Sequence, residues 1–188
     1  MFRPQWITLP RVKRPGWGAG FMQCWPETGL RKRLPGPGKN RGFRSMFVHS
    51  RELAFFELAQ DHPFRPERVY KTLELCGRYG VWDRPWMELA GPVGVELHEL
   101  GRFHDPSYIR VLREASGGRI SLETLERGLG TGDCPVAPGL YQWALATVGG
   151  TLRALRAVLR GEVDVAFNLY GGLHHGMRDH AEGFCYLN

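Results

Sequence analysis

Apolar positions recur at helical spacing through Leu140, Trp143, Thr147, Val148, Leu152, Leu155 and Leu159. That period predicts a long helix over residues 138–160, closed by Gly161. Gly149-Gly150 lies inside it, where each glycine costs ~1 kcal/mol against alanine. Such a pair is tolerated where a neighbouring backbone comes close, so the helix is expected to pack tightly on a sheet. The mostly apolar run Val163-Asp164-Val165-Ala166-Phe167-Asn168-Leu169 follows and reads as a buried strand.

Upstream, Val69, Leu73 and Cys76 at i, i+4 and i+7 predict a helix that Pro66 opens and Gly80 ends. Asp105 as N-cap and Pro106 at the first position open another, with Tyr108, Ile109 and Leu112 inward and Gly117-Gly118 as its stop. Short strands are expected at Phe47-Val48-His49 and over 86–89. Residues 95–103 read as a helical stretch interrupted by glycine, and 121–138 as a loop.

Helix, glycine, strand and glycine-rich turn make the αβ half of a parallel-sheet unit, which predicts an α/β fold. Open parallel sheets bind ligands beyond the carboxyl ends of their strands, and His174-His175 lies there between glycines. The pair reads either as two adjacent loop histidines or as imidazoles sharing proton work near neutrality. Other residues are equally two-sided. Asp133 is a turn former or a rim carboxylate, Phe184 a core aromatic or a pocket wall, and Cys185 a buried small hydrophobe or a reactive thiol. Asp179, His180 and Glu182 read as surface charges, and no His-Glu-x-x-His occurs.

Composition narrows the classes. The net charge of +6 resides in residues 1–45, where ten Lys or Arg face the single acid Glu27; the remainder has 15 basic and 18 acidic residues. A nucleic-acid partner for the body of the protein is therefore not indicated. The first 45 residues also carry seven Gly and six Pro, a density of breakers that predicts irregular, disordered chain. A basic arm, or a mis-assigned start with Met46 as the true one, are the other readings. No apolar run approaches the ~20 residues that cross a bilayer. Cys24, Cys76, Cys134 and Cys185 are widely spaced without a Cys-x-x-Cys pair, so reduced thiols and a cytoplasmic location are expected.

Five segments in register resemble the zinc-dependent histone deacetylase family, including its acetoin-utilisation members. They are His62-Pro63-Phe64-Arg65-Pro66-Glu67-Arg68, Phe103-His104-Asp105-Pro106-Ser107-Tyr108-Ile109, Gly132-Asp133-Cys134-Pro135-Val136, Thr147-Val148-Gly149-Gly150, and Gly171-Gly172-Leu173-His174-His175 with Gly183-Phe184-Cys185-Tyr186-Leu187-Asn188. The resemblance covers about residues 46–188. It implies a three-layer α/β fold of the arginase/deacetylase type with a mainly parallel sheet, of which only the N-terminal portion is present.

The implied activity is hydrolysis of N6-acetyl-lysine to acetate and lysine. By the resemblance, His174 polarises the attacking water and His175 is general base and then acid. Gly183 and Phe184 wall a tunnel around the lysine methylenes, Asp133 holds the substrate backbone at the rim, and Arg68 lies near an internal acetate channel. Zinc is the implied cofactor of a full-length parent, with no metal ligand in this chain, which alone is expected to be inactive. Implied partners are acetylated lysine side chains of proteins or a small acetylated amine such as an acetylpolyamine. A non-catalytic fragment that binds partners through an exposed sheet is the remaining alternative.

Two departures stand out. Phe56-Glu57-Leu58-Ala59 replaces an aromatic-acid-aromatic-glycine segment, and nothing in the family pattern corresponds to 1–45. After Gly-Phe-Cys-Tyr-Leu-Asn the family continues with Asp, a helix and the strand bearing the first zinc-binding Asp and His.

Overall fold

A computed structural model describes residues 42–50, 53, 56, 58, 59, 61–65 and 67–188. These belong to the compact unit Leu34–Asn188. The expectations for residues 1–41, for Glu57 and for Pro66 as a helix opener lie outside the described residues.

Three short strands, β1 (Ser45–Val48), β2 (Met87–Ala90) and β3 (Val165–Asn168), form a parallel sheet in the order β2-β1-β3. Among the described residues the helices are α1 (Glu67–Arg78), α2 (Leu97–Leu100), α3 (Pro106–Ser116), α4 (Leu122–Glu126) and α5 (Leu140–Leu159). None is long and apolar enough to cross a membrane.

Alternation along the strands divides the sheet. Met46 and Val48 point to α5 and bury against Ala157 and Val163, with Ala154, Val158 and Ala166 packed around them. On the other face Phe47 meets Trp82 and Phe167 edge-on, at 5.3 and 5.6 Å between centroids. That face is only partly covered: Val165 and Phe167 are 52% and 53% exposed. The expectation of a buried β3 is thus corrected. Its residues alternate because, among the described elements, a helix packs on one face only and β3 is the sheet edge.

The glycine pair of α5 behaves as its cost demanded. A Cβ on Gly149 would collide with the Val93 carbonyl, and one on Gly150 would sit 2.8 Å from Asn168 Nδ2. The backbone after β2 and the end of β3 therefore touch the helix directly. Asn168 fastens this contact. Its amide donates to the Thr147 carbonyl at 3.2 Å and to Thr151 Oγ1 at 3.1 Å, while its Oδ1 accepts the Tyr170 N–H at 3.2 Å.

A second core joins α3, α5 and the C-terminal segment through Tyr108, Leu112, Leu140, Ala144, Tyr186 and Leu187, all fully buried. α3 starts where the sequence indicates, with Asp105 Oδ1 accepting the Ser107 N–H at 2.7 Å and Pro106 at the first turn. α1 likewise keeps Leu73 buried and ends before Gly80, whose φ is +63°. Within the stretch expected to be loop, α4 forms because Ser121 and Thr124 cap each other reciprocally, Ser121 Oγ taking the Thr124 N–H and Thr124 Oγ1 the Ser121 N–H.

Candidate active site

β3 ends at Asn168, and the anchored Tyr170 leads into Gly171-Gly172, where close approach is again required. A Cβ at Gly171 would lie 2.9 Å from Thr151 Oγ1, and Gly172 has φ +79°. This tight turn presents His174 and His175, both exposed, with ring centroids 4.1 Å apart and planes inclined by 40°. His174 Nδ1 lies 3.0 Å from the Gly172 carbonyl. A carbonyl only accepts, so this contact puts the proton on Nδ1 and leaves Nε2 as the free base position.

The chain then curves back. Gly183, at φ +52°, stands against the His175 ring, where a Cβ would come within 2.9 Å of Cγ. Phe184 is also left-handed, at φ +69°, the one described non-glycine residue with positive φ. Strain of that kind costs about 1–3 kcal/mol and persists where surroundings enforce it. Its ring meets the buried His62 edge-on at 4.7 Å. His62 Nδ1 accepts the Phe64 N–H at 3.1 Å, so Nε2 carries the proton and donates to the Asp133 carbonyl at 3.2 Å. Five of the six sequence candidates, His174, His175, Gly183, Phe184 and Asp133, are thereby linked by a chain of contacts through the buried His62, which reaches Asp133 at its backbone carbonyl.

His62 is the residue that sequence reasoning did not assign. It belongs to the His-Pro-Phe motif, but its partners lie 71 and 122 positions away in sequence, beyond the reach of local spacing.

The sixth candidate stands apart. Arg68 is exposed on α1, donates Nε–H to the Arg65 carbonyl at 3.2 Å, and holds its guanidinium 5.8 Å from the centre of Phe64. Among the described residues no contact joins it to either histidine. A cavity of about 140 Å³ does open beside the histidine turn, lined in part by Thr147, Thr151, Tyr170, Leu173 and Leu187.

Asp133 is exposed, while its neighbour Cys134 is buried and its thiol is pushed up to about 11 by desolvation. Burial likewise lifts the Cys185 thiol, which donates to the Gly183 carbonyl at 3.3 Å, so Cys185 is a buried small residue rather than a nucleophile. Tyr186 locks the segment by donating to the Pro135 carbonyl at 2.6 Å and accepting Tyr108 Oη–H on its own carbonyl at 2.7 Å. His104, buried and held below the usual histidine range by desolvation, accepts the Asn188 N–H on Nε2 at 2.9 Å.

No group of three or more His, Cys, Asp or Glu among the described residues is placed to hold a metal ion. Asp179, His180 and Glu182 form an exposed acid-imidazole-acid chain, with 2.8 Å between Asp179 Oδ1 and His180 Nδ1 and 3.9 Å between His180 Nε2 and Glu182 Oε2.

Comparison with known proteins gives the family and the fold. A family model described as histone deacetylase domain matches residues 62–188. The acetoin utilization protein AcuC of Bacillus subtilis is 37% identical over 145 residues, covering 77% of this chain and 37% of that protein. Histone deacetylase 8 of Xenopus tropicalis is 36% identical over 146 residues, covering 76% and 38% respectively. A crystal structure of an HDAC homolog from Aquifex aeolicus superposes with a TM-score of 0.69 at 28% identity, over 77% of this chain and 38% of that one. The chain spans a little over a third of the length of these relatives. An α/β fold with a parallel sheet, a glycine-set histidine pair and a family match over two-thirds of the sequence have one reading: the chain belongs to the histone deacetylase domain family.

Proposed function

We propose that the chain carries the proton-transfer and substrate-tunnel half of an enzyme that hydrolyses the amide of N6-acetyl-lysine. One observation carries this reading: the unbroken path from His174 and His175 through Gly183 and Phe184 to His62 and Asp133. A narrow wall beside two imidazoles suits an alkyl stem ending in an amide. Phe184 offers an apolar face to the methylenes, Gly183 leaves room beside it, and Asp133 at the rim accepts backbone N–H groups of the substrate. Arg68, placed on α1 away from these contacts, would act on departing acetate only through the scaffold.

In this scheme His175 takes a proton from the attacking water and returns it to the leaving lysine nitrogen as the C–N bond breaks. His174, with Nδ1–H held by the Gly172 carbonyl, polarises the same water through Nε2. The family's zinc would supply Lewis-acid stabilisation of the acetyl oxygen. The described residues do not fit it, because they contain no three-ligand cluster, and in this reading the isolated chain is inactive. The substrate is an acetylated protein lysine, with small acetylated amines as the neighbouring class, and the location is cytoplasmic.

Turnover of a fluorogenic acetyl-lysine peptide, with and without added zinc, tests this on the purified 188-residue chain. No turnover and no stoichiometric tight zinc are expected, and zinc-dependent deacetylation would overturn the inactive assignment. In-frame DNA beyond the Asn188 codon should encode an Asp-x-Asp-x-His-His-like strand.

The half-exposed Val165 and Phe167 on the edge strand favour a second reading, a partner-binding fragment. Size-exclusion separates the two: a compact monomer at all concentrations counts against it.

A further inference from the structure

A cavity of about 360 Å³ opens between α2, α3 and the first turn of α5, within the ~300–1,000 Å³ of ordinary ligand pockets. It shares no lining residue with the histidine surface. Its walls are hydrocarbon: Leu97, 60% exposed, the ring of Pro106, the buried Ile109 and the ring of Tyr141.

The polar groups at this cavity are unequal. Arg110 is already engaged, by Glu114 at 3.3 Å and Glu123 at 3.1 Å. Arg113, one turn further along α3, lines the same cavity, and among the described residues no carboxylate pairs with it. Its charge is felt at the Tyr141 phenol, which burial nonetheless holds above the usual tyrosine range, so that Tyr141 keeps its O–H as a donor. Tyr141 is also fixed in place, its backbone N–H donating to the buried Ser116 Oγ at 3.0 Å.

The cavity is therefore lined by one arginine without a paired carboxylate among the described residues and by a tyrosine that keeps its proton, with apolar side chains making up the rest of the wall. A carboxylate accepts from both, and the planar guanidinium fork matches its two oxygens. A cationic head would be repelled by Arg113, and a neutral one would leave the guanidinium unpaired.

We propose that this cavity is a binding site for a small amphipathic carboxylate, an aliphatic acid of medium chain length. Its head sits on Arg113 and Tyr141, and its chain lies along Leu97, Pro106 and Ile109. The site is independent of acetyl-lysine hydrolysis and survives if that reading fails.

The test is titration of the full 188-residue chain with octanoate, followed by calorimetry and by methyl-resolved NMR. Saturable one-site binding with Kd near ~1 mM or tighter is expected, with shifts at the Leu97 and Ile109 methyls and none at Leu173. Arg113→Gln should weaken binding by about tenfold or more, the scale of a lost charge-assisted hydrogen bond. Leu97→Ala should weaken it severalfold, and octanol should bind at least about tenfold more weakly than octanoate. Arg113 and Leu97 are exposed, and unchanged circular dichroism checks that both variants fold. The proposal is overturned by any of three results: absence of saturable binding, equal affinity for octanol, or an Arg113→Gln chain that binds octanoate as well as the parent.

Discussion

Replacing Gly183 with alanine probes the join between the histidine pair and the tunnel wall. At φ +52° an L-residue pays the left-handed penalty of about 1–2 kcal/mol. The new methyl would lie 2.9 Å from His175 Cγ and 3.1 Å from Cδ2, so one of them must move. Overpacking of this kind costs ~1–3 kcal/mol in a closed core, but the His175 ring is exposed and can swing outward, which places the cost at the low end. Restricting the unfolded chain returns about 0.4–1 kcal/mol. The balance is a loss of ~1–2 kcal/mol together with a displaced imidazole. Urea unfolding of the 188-residue chain measures the first, and long-range nitrogen-proton spectra of the His175 ring the second. A Gly183→Ala chain with unchanged midpoint and unchanged His175 resonances would show that the two residues are not in contact, and the run of contacts would lose its central link.

Three further substitutions or conditions test other joints. His62→Ala strips the Phe64 N–H and the Asp133 carbonyl of their partner and should cost ~2–4 kcal/mol by urea unfolding, with altered Phe184 ring shifts; a change below about 0.5 kcal/mol refutes the bridging role. Gly149→Ala, which in a free helix would gain ~1 kcal/mol, should destabilise the chain because its Cβ meets the Val93 carbonyl, and a rise in urea midpoint contradicts the close contact. Lowering pH through the ordinary histidine range should also reduce stability. His104 is held neutral by burial below its unfolded value, so the unfolded chain takes up the proton first, and stability falls from the unfolded pKa down to the depressed folded one. A urea midpoint that is flat from pH 7.5 to 5 speaks against it.

What the sequence revealed and what it hid divide along physical lines. α3 and α5 were legible because their information is local: a capping Asp followed by Pro in one, an apolar period of 3.6 in the other. The Gly149-Gly150 pair announced a close approach through its cost alone, although not that Val93 and Asn168 would be the atoms approached. α4 could have been found from the Ser121-x-x-Thr124 spacing, whose reciprocal caps outweigh the surrounding glycines. The exposure of β3 could not, since a strand's burial depends on what covers its two faces and periodicity reports only its own side chains. The same limit applied at the site. His174, His175, Gly183, Phe184 and Asp133 were each visible as residue types in suggestive company, whereas His62 acts through contacts made only by the folded chain.

Asn168 has a mechanical consequence for the histidine turn. Its three hydrogen bonds clamp the end of β3 to the Thr147 and Thr151 rung of α5 and fix the first residues of the turn. The start of the turn is thus mounted on the helix as on a bracket, while the rings themselves are set by the loop, His174 on the Gly172 carbonyl and His175 against Gly183. Sequence changes at Thr147 or Thr151 of α5, far from either imidazole, will therefore shift the point from which the turn departs.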